Sequence, residues 1–497
     1  MPTPTPAVLG VDIGTSSSKG VLVDFDGRIL ATAVRAHPVD RPHPGQVEMA
    51  AELWWDEFVQ LSRELLGAVE VDVVAVGVSG MGPCVLLTDE AGVALRPAIL
   101  YGIDSRATAQ IERLTMELGG SDAIRARCGS ALSTQAVGPK LAWLAENEPD
   151  VFARARRLFM PSSWLVWRLT GNYLLDQHSA SQCTPLYDMA SGSWYAPWAS
   201  TIAPQLDLPP LVWPGDVAGV VGIAAAALTG LPAGIPVIAG TIDAWSEAVS
   251  VGAQGVGDLM LMYGTTMFLI NTVAKPITSP ALWGTVGAFP GTHSLAGGMA
   301  TSGAITGWLL ELFGSVDYPE LIALAEASGP GARGLVMLPY FAGERTPIAD
   351  PDARGILAGL TLSHTRGDLY RAALEATALG VRHNIETMAD AGATIGRIVA
   401  VGGGAQGTLW TQIVSDVTGL AQVIPTQTIG ASFGAAFLAA SAVAEVRIGD
   451  WNPAKEIREA RTETAADYEQ LYQIFRELYP ATQEISHALA ERQRRLS

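Results

Sequence analysis

Short apolar runs alternate with longer amphipathic stretches along the chain. Val8–Val11 and Val21–Asp24 flank Asp12-Ile13-Gly14-Thr15-Ser16-Ser17-Ser18-Lys19, which predicts a strand, a hydroxyl-rich glycine turn and a second strand. Half a chain later the pattern returns: Leu259–Tyr263 leads into Gly264-Thr265-Thr266, and Phe268–Asn271 leads out. Val71–Val78, Pro236–Ala239 and Arg397–Val401 read as further buried strands. Leu374, Ala378, Val381, Ile385 and Met388 recur at spacings of four and three, predicting a helix with Asp368 as its cap and its end near Gly392. Another helix is expected from about Thr408 to Thr418. This alternation is that of a mixed α/β protein.

The most apolar helical stretch, Ala435–Ala444, contains Ser441, is stopped by Glu445 and falls well short of the roughly 18 residues of a membrane span. A closely packed core helix is expected there, and no membrane partner. Met1–Pro6 has neither the charge nor the apolar stretch of a secretory signal and is expected to fray. Proline and glycine are dense from Pro204 to Gly240. A crossover soon afterwards, between about residues 240 and 260, divides the chain into two lobes, 7–250 and 251–497.

Length and charge narrow the picture. The 497 residues exceed one ordinary core at roughly 100 to 200 residues per domain. A formal net charge of −18 argues against a nucleic-acid partner, because no basic stripe is present to displace counterions. Cys84, Cys128 and Cys183 are far apart and lack C-x-x-C spacing, so neither a disulfide framework nor a zinc knuckle is expected, and a reduced, cytoplasmic setting is.

The two glycine turns suit a polyphosphate. Successive backbone N–H groups in a tight turn form an anion-binding concavity, and Gly14 and Gly264 admit close approach. Thr15, Ser16, Thr265 and Thr266 add hydroxyl donors, Lys19 adds charge, and Asp12 is placed to hold Mg²⁺ directly or through its waters. No Walker G-x-x-x-x-G-K-[ST] loop occurs anywhere in the chain. Either turn alone also reads as an ordinary hairpin. Together they suggest two facing lobes with ATP between them.

Two further segments extend this reading. Arg397–Val401 runs into Gly402-Gly403-Gly404-Ala405-Gln406, a glycine-rich turn at the carboxyl end of a strand, where α/β sheets bind ligands. It offers a shelf for adenosine or, more plainly, a tight strand-to-helix connection. Ala239-Gly240-Thr241-Ile242-Asp243 puts a carboxylate just past a strand. Phosphoryl transfer to an alcohol needs a base beside the attacking hydroxyl, and Asp243 is the candidate; a helix N-cap is the competing role.

These segments together resemble the FGGY family of carbohydrate kinases, most closely its xylulokinase branch, over about Ala7 to Ala444. Gly355-Ile356-Leu357-Ala358-Gly359-Leu360, seven intervening residues and Asp368-Leu369-Tyr370-Arg371-Ala372-Ala373-Leu374-Glu375 fit the family's carboxyl-terminal signature. Pro339-Tyr340-Phe341-Ala342-Gly343-Glu344-Arg345-Thr346-Pro347 resembles the branch, and Gly45-Gln46-Val47-Glu48 with Trp54-Trp55 fits its amino-terminal pattern. The resemblance implies the fold shared by sugar kinases, heat-shock chaperones and actin-like ATPases, with duplicated domains around an ATP cleft. It carries phosphate contacts onto Asp12, Gly14, Thr15, Ser16 and Lys19, then Gly264, Thr265 and Thr266. Adenosine contacts fall on Gly403, Gly404 and Gln406, the base on Asp243, and sugar contacts on Met81, Asp104, Arg106 and Asp243.

Departures lie where the acceptor would be chosen. The branch's Met-His pair is here Ser79-Gly80-Met81-Gly82-Pro83-Cys84, without histidine, and its Trp-x-Asp-x-Arg is Tyr101-Gly102-Ile103-Asp104-Ser105-Arg106, with the aromatic one position further away. Lys140-Leu141-Ala142-Trp143-Leu144-Ala145-Glu146-Asn147 matches the first family signature, while Val137 departs from it. The expected reaction is transfer from MgATP to a small sugar such as xylulose, with ribulose, fuculose or erythritol as other acceptors and a sugar-sensing ATPase as the non-enzymatic reading. A homodimer is a candidate assembly.

Overall fold

In the computed structural model, which describes residues 4–314 and 316–496, Thr5–Ile13 and Ser17–Asp24 pair antiparallel around Gly14-Thr15-Ser16, with Asp12 opposite Lys19. The strand starts earlier than its apolar run implies: Thr5 and Pro6 pair with Val71 and Asp72. The expected fraying of Met1–Pro6 is thus corrected at those two residues, because a parallel neighbour takes up their backbone groups; Met1–Thr3 lie outside the described residues.

The described residues form two compact units. The first takes the chain up to Gln254 together with Thr272–Ser294 and Ile429–Pro453. Its sheet runs Val217–Val220, Pro236–Ile238, Val71–Gly80, Thr5–Ile13, Ser17–Asp24, Ile29–Ala36. The outer pairs are antiparallel and the central three strands are parallel. The expected core helix spans Ala431–Ser441, with every residue from Ala431 to Ala440 buried. It lies against the central strands where glycine leaves room: a Cβ at Gly77 would sit 1.9 Å from the Ala435 carbonyl oxygen.

The second unit comprises Gly255–Asn271, Leu295–Thr428 and the chain from Ala454 on. Its sheet repeats the order: Ala454–Arg458, Gln422–Pro425, Arg397–Val401, Asp258–Tyr263, Met267–Val273, His293–Met299. Again the hairpin is antiparallel and the three central strands are parallel. The two sheets therefore share a strand order, the internal duplication that the repeated glycine turns foreshadow.

The long helix covers Arg366–Asp390, with Thr365 as its N-cap. Asp368 is the third helical residue, whose carboxylate accepts from the Thr365 backbone N–H at 2.7 Å and from its hydroxyl at 3.0 Å. The cap expected at Asp368 is corrected accordingly: it is the acidic half of a capping box. Thr408–Thr418 is helical as expected. Among the described residues no helix is long and apolar enough to cross a membrane.

Candidate functional site

In the first unit, the hairpin turn is closed by Gly14 N–H donating to the Ser17 carbonyl at 3.1 Å. It is propped by a buried histidine that the sequence reading missed. His37 Nε2 lies 3.1 Å from the Gly14 carbonyl, its backbone N–H donates to Ser16 O at 3.0 Å, and Nδ1 faces the Glu57 carboxylate at 2.9 Å. Thr15 Oγ1 lies 2.9 Å from the Tyr101 hydroxyl.

Strand register explains how acidic groups gather at the carboxyl ends of this sheet. Asp12 stands opposite Ser79, Ser79 opposite Thr241, and Asp243 begins the helix Asp243–Ser250 two residues on. Ser79 donates its hydroxyl to Asp12 Oδ1 at 2.8 Å. The N-cap of that helix is Ile242, and Asp243 Oδ1 accepts only from Ala244 N–H, at 2.7 Å. Its other oxygen has no hydrogen-bond partner among the described residues. Glu247, one turn along the helix, adds a third carboxylate that sequence reasoning overlooked; its position four residues after Asp243 was the available signal.

Burial is the main force on all three. It raises Asp12, which the charges of Asp243 and Glu247 raise further against Ser79 and Lys19. It raises Asp243 against the Ala244 N–H, and lifts Glu247 to about 7, with the Asp243 charge adding and Lys19 opposing. Among the described residues no group of three or more His, Cys, Asp or Glu side chains is placed to hold a metal ion, so the fit to a divalent cation rests on the Asp12 carboxylate, with Lys19 nearby. Mg²⁺ commonly takes only one or two protein carboxylates and keeps waters or phosphate oxygens for the rest.

The candidate acceptor residues are tied into the same unit. Met81 is buried and donates its N–H to Ile13 O at 2.8 Å. Asp104 Oδ2 accepts from Val47 N–H at 2.6 Å and from Arg106 at 2.7 Å, and Arg106 also pairs with Glu48 at 2.7 Å. Glu48 in turn pairs with Arg96, and the Arg106 guanidinium lies 4.9 Å over the Trp143 ring. Lys140 Nζ donates to the carbonyls of Tyr101 at 3.1 Å and Thr134 at 2.8 Å, and burial pulls its pKa down to about 8. Asp104 and Arg106 thus meet each other and the Gly45–Glu48 segment. Trp54 and Trp55 are buried core residues.

In the second unit, the turn Gly264-Thr265-Thr266 closes by Gly264 N–H donating to Thr266 O at 3.1 Å. The start of the helix Gly303–Phe313 holds it: Gly303 N–H donates to Gly264 O at 3.0 Å, and those of Ser302 and Ala304 to Thr265 O at 3.0 and 3.1 Å. Met262 pairs with Val401 in parallel, so this turn and the turn Gly403–Gln406 leave the sheet at the same end. Gly403 and Gln406 are exposed, and Gln406 Nε2 lies 3.5 Å from Thr428 Oγ1. A Cβ at Gly404 would meet the Trp410 ring at 2.7 Å.

Comparison with known proteins accounts for both units. Residues 7–250 match the N-terminal domain and residues 259–443 the C-terminal domain of the FGGY family of carbohydrate kinases. The chain is 29% identical over 438 residues to a xylulose kinase of Escherichia coli, covering 87% of this chain and 89% of that one. It is 33% identical over 484 residues to a glycerol kinase of Rhizorhabdus wittichii, covering 92% and 91%. The crystal structure of xylulose kinase from Rhodospirillum rubrum superposes with a TM-score of 0.91 at 33% identity, covering 97% of this chain and all of that one. The matched domains, the repeated sheet order and the similarity over nearly the whole chain establish that it belongs to the FGGY family of carbohydrate kinases.

Proposed function

We propose that the protein transfers the γ-phosphoryl group of ATP to a hydroxyl of a small sugar, a ketopentose such as xylulose being the favoured acceptor, with Asp243 as the general base. The observation that carries this reading is the Asp243 carboxylate: half-buried at the start of its helix, with one oxygen unpaired and its proton affinity raised by burial. A base works best when its pKa lies near the operating pH, and burial moves Asp243 in that direction.

In this mechanism the backbone donors and hydroxyls of Gly14, Thr15 and Ser16, with Lys19, hold phosphate oxygens, and Gly264, Thr265 and Thr266 do the same from the second turn. Gly403, Gly404 and Gln406 receive the adenosine, whose flat base needs the space that absent side chains leave. Asp12 would hold Mg²⁺, which supplies charge neutralisation for the phosphates when bound. Asp243 accepts the proton of the attacking hydroxyl as its oxygen bonds to phosphorus. Met81 walls the acceptor pocket, and the Asp104–Arg106 pair contributes by fixing the segments around Val47 and Tyr101. Three buried free thiols support a cytoplasmic setting.

Relatives named for xylulose and for glycerol frame the acceptor as a small polyhydroxylated molecule. A screen that couples ADP release to ketopentoses, deoxyketoses and polyols, with identification of the phosphorylated product, tests the reading. A ketopentose phosphate formed in equal amount with ADP supports it. Sugar binding with no phosphorylated product from any acceptor overturns it.

A further inference from the structure

Glu57 is an unexpected residue for its place on the helix Ala51–Ala68. It shares the buried face with Trp54, Phe58 and Leu61, and only 5% of its surface is exposed. A carboxylate taken out of water in such surroundings is costly unless it is paired. Its one hydrogen-bond partner among the described residues is His37, 8% exposed, whose Nδ1 lies 2.9 and 3.1 Å from the two carboxylate oxygens. A buried ion pair gives the fold little net stability over apolar side chains of similar volume. Stability alone therefore does not account for this one.

Strand register brings the pair to the first glycine turn. Ala36 stands opposite Ser17 where Ile29–Ala36 pairs with Ser17–Asp24, so His37 arrives beside Ser16 and donates its backbone N–H to the Ser16 carbonyl at 3.0 Å. Its Nε2 lies 3.1 Å from the Gly14 carbonyl. A carbonyl oxygen can only accept, so Nε2 carries a proton. A second proton must lie between Nδ1 and Glu57, since a nitrogen lone pair facing a carboxylate at 2.9 Å would be repelled. The pair is thereby fixed with Nε2–H aimed at Gly14.

We propose that His37, held by Glu57, is the positioning residue of the first glycine turn: by fixing the Gly14 carbonyl it aims the Thr15 N–H at the phosphates of the nucleotide. This rests on the reading of that turn as a phosphate site. The Gly14 carbonyl and the Thr15 N–H belong to one planar trans peptide and point to opposite sides of it, so anchoring one sets the direction of the other. The N–H groups of Thr15 and Ser16 have no hydrogen-bond partner among the described residues, which leaves both for an anion. A donor on the carbonyl also polarises the peptide and strengthens its N–H. The second turn meets the same need with a backbone donor, because Gly303 N–H holds the Gly264 carbonyl at 3.0 Å.

Calorimetric titration of the intact chain with ATP and with adenosine tests this. The variants are made in a Glu57→Gln background, whose amide still meets Nδ1, so that none leaves a buried carboxylate without a cation. His37→Asn puts its amide where Nδ1 stands and loses the Gly14 contact, whereas His37→Gln reaches the place of Nε2 and keeps it. Relative to Glu57→Gln alone, His37→Asn should bind ATP about fivefold more weakly and His37→Gln within about twofold. Neither should change the affinity for adenosine, which has no phosphate for the turn. Lys19→Met, which removes a charge from the same hairpin, is the control. If it weakens ATP binding and His37→Asn does not, the inference fails while the phosphate reading of the turn stands; if neither weakens it, both fail. Equal losses in His37→Asn and His37→Gln, or a loss shared by adenosine, would reduce His37 to a structural role and overturn the proposal.

Discussion

The Thr15 hydroxyl lies 2.9 Å from the phenol oxygen of Tyr101, joining the first glycine turn to the loop that carries Asp104 and Arg106. Tyr101 stands one position before the Trp place of the Trp-x-Asp-x-Arg pattern, which is Gly102 here, and its hydroxyl supplies the link to Thr15. One hydrogen bond of this kind contributes about 1 kcal/mol. Tyr101→Phe should therefore lose unfolding free energy of that order and, with the turn no longer tied to the Asp104–Arg106 loop, lose up to about tenfold in kcat/KM for the acceptor. Steady-state kinetics in both substrates checks this; an unchanged kcat/KM would detach the phenol from the site.

Helix Asp243–Ser250 is positioned by a close approach rather than by a cap. A Cβ at Gly434 would lie 1.8 Å from the Ser246 carbonyl oxygen, so Gly434→Ala forces the helices Asp243–Ser250 and Ala431–Ser441 apart. Overpacking of this sort costs about 1–3 kcal/mol or more, and it should move Asp243 as well. The expected result is a lower unfolding midpoint in urea together with a fall in kcat. Substitution without loss of either would show that the contact does not set the helix position.

The buried Arg106 is paired with Asp104 and Glu48; in Arg106→Met the Asp104 carboxylate loses its ion-pair partner, while Glu48 keeps Arg96. Breaking a buried pair by removing one partner costs about 3–5 kcal/mol. Denaturant unfolding should show a loss of this order, with a raised KM for the acceptor as the Val47 and Tyr101 segments loosen. A variant as stable as the parent would assign Arg106 to the ligand instead.

Much of this was legible in local pattern. Both glycine hairpins, the strands Val71–Gly80 and Arg397–Val401, and the helix Thr408–Thr418 announce themselves by runs of adjacent residues. Asp368 was misplaced because a capping box carries polar residues at two positions, and Thr365, three residues earlier, holds the other. His37, Glu57 and the Tyr101 link were invisible because each meets the turn from far along the chain, with no spacing to mark it. Glu247 was marked in the sequence by its spacing of four from Asp243, and the sheet register that aligns Asp12, Ser79 and Thr241 gives that spacing its meaning. Asp104 and Arg106 were noticed as charges suited to sugar hydroxyls, but the sequence could not reveal that Glu48 and the Val47 N–H engage them first.

Glu344 gives a pH dependence with a definite sign. Burial raises its pKa from 4.5 to about 8, against the N–H groups of Ala300 and Arg345 and the Arg345 charge. The folded chain therefore holds this proton over a range where the unfolded chain has released it, and stability falls as pH rises from about 4.5 to about 8. Glu344→Gln keeps an oxygen to accept from Ala300 and Arg345 but cannot ionise. The stability difference between variant and parent should grow in the variant's favour across that interval and level off above it. Parallel stability curves would contradict the burial of a titrating carboxyl at this position.

The most direct measurement is single-turnover phosphoryl transfer by Asp243→Asn, with ATP binding followed by calorimetry on the same preparation. Loss of the base should slow formation of the sugar phosphate by about 10²- to 10⁴-fold while nucleotide affinity holds. Transfer at the parent rate would remove Asp243 from the chemistry and with it the proposed mechanism.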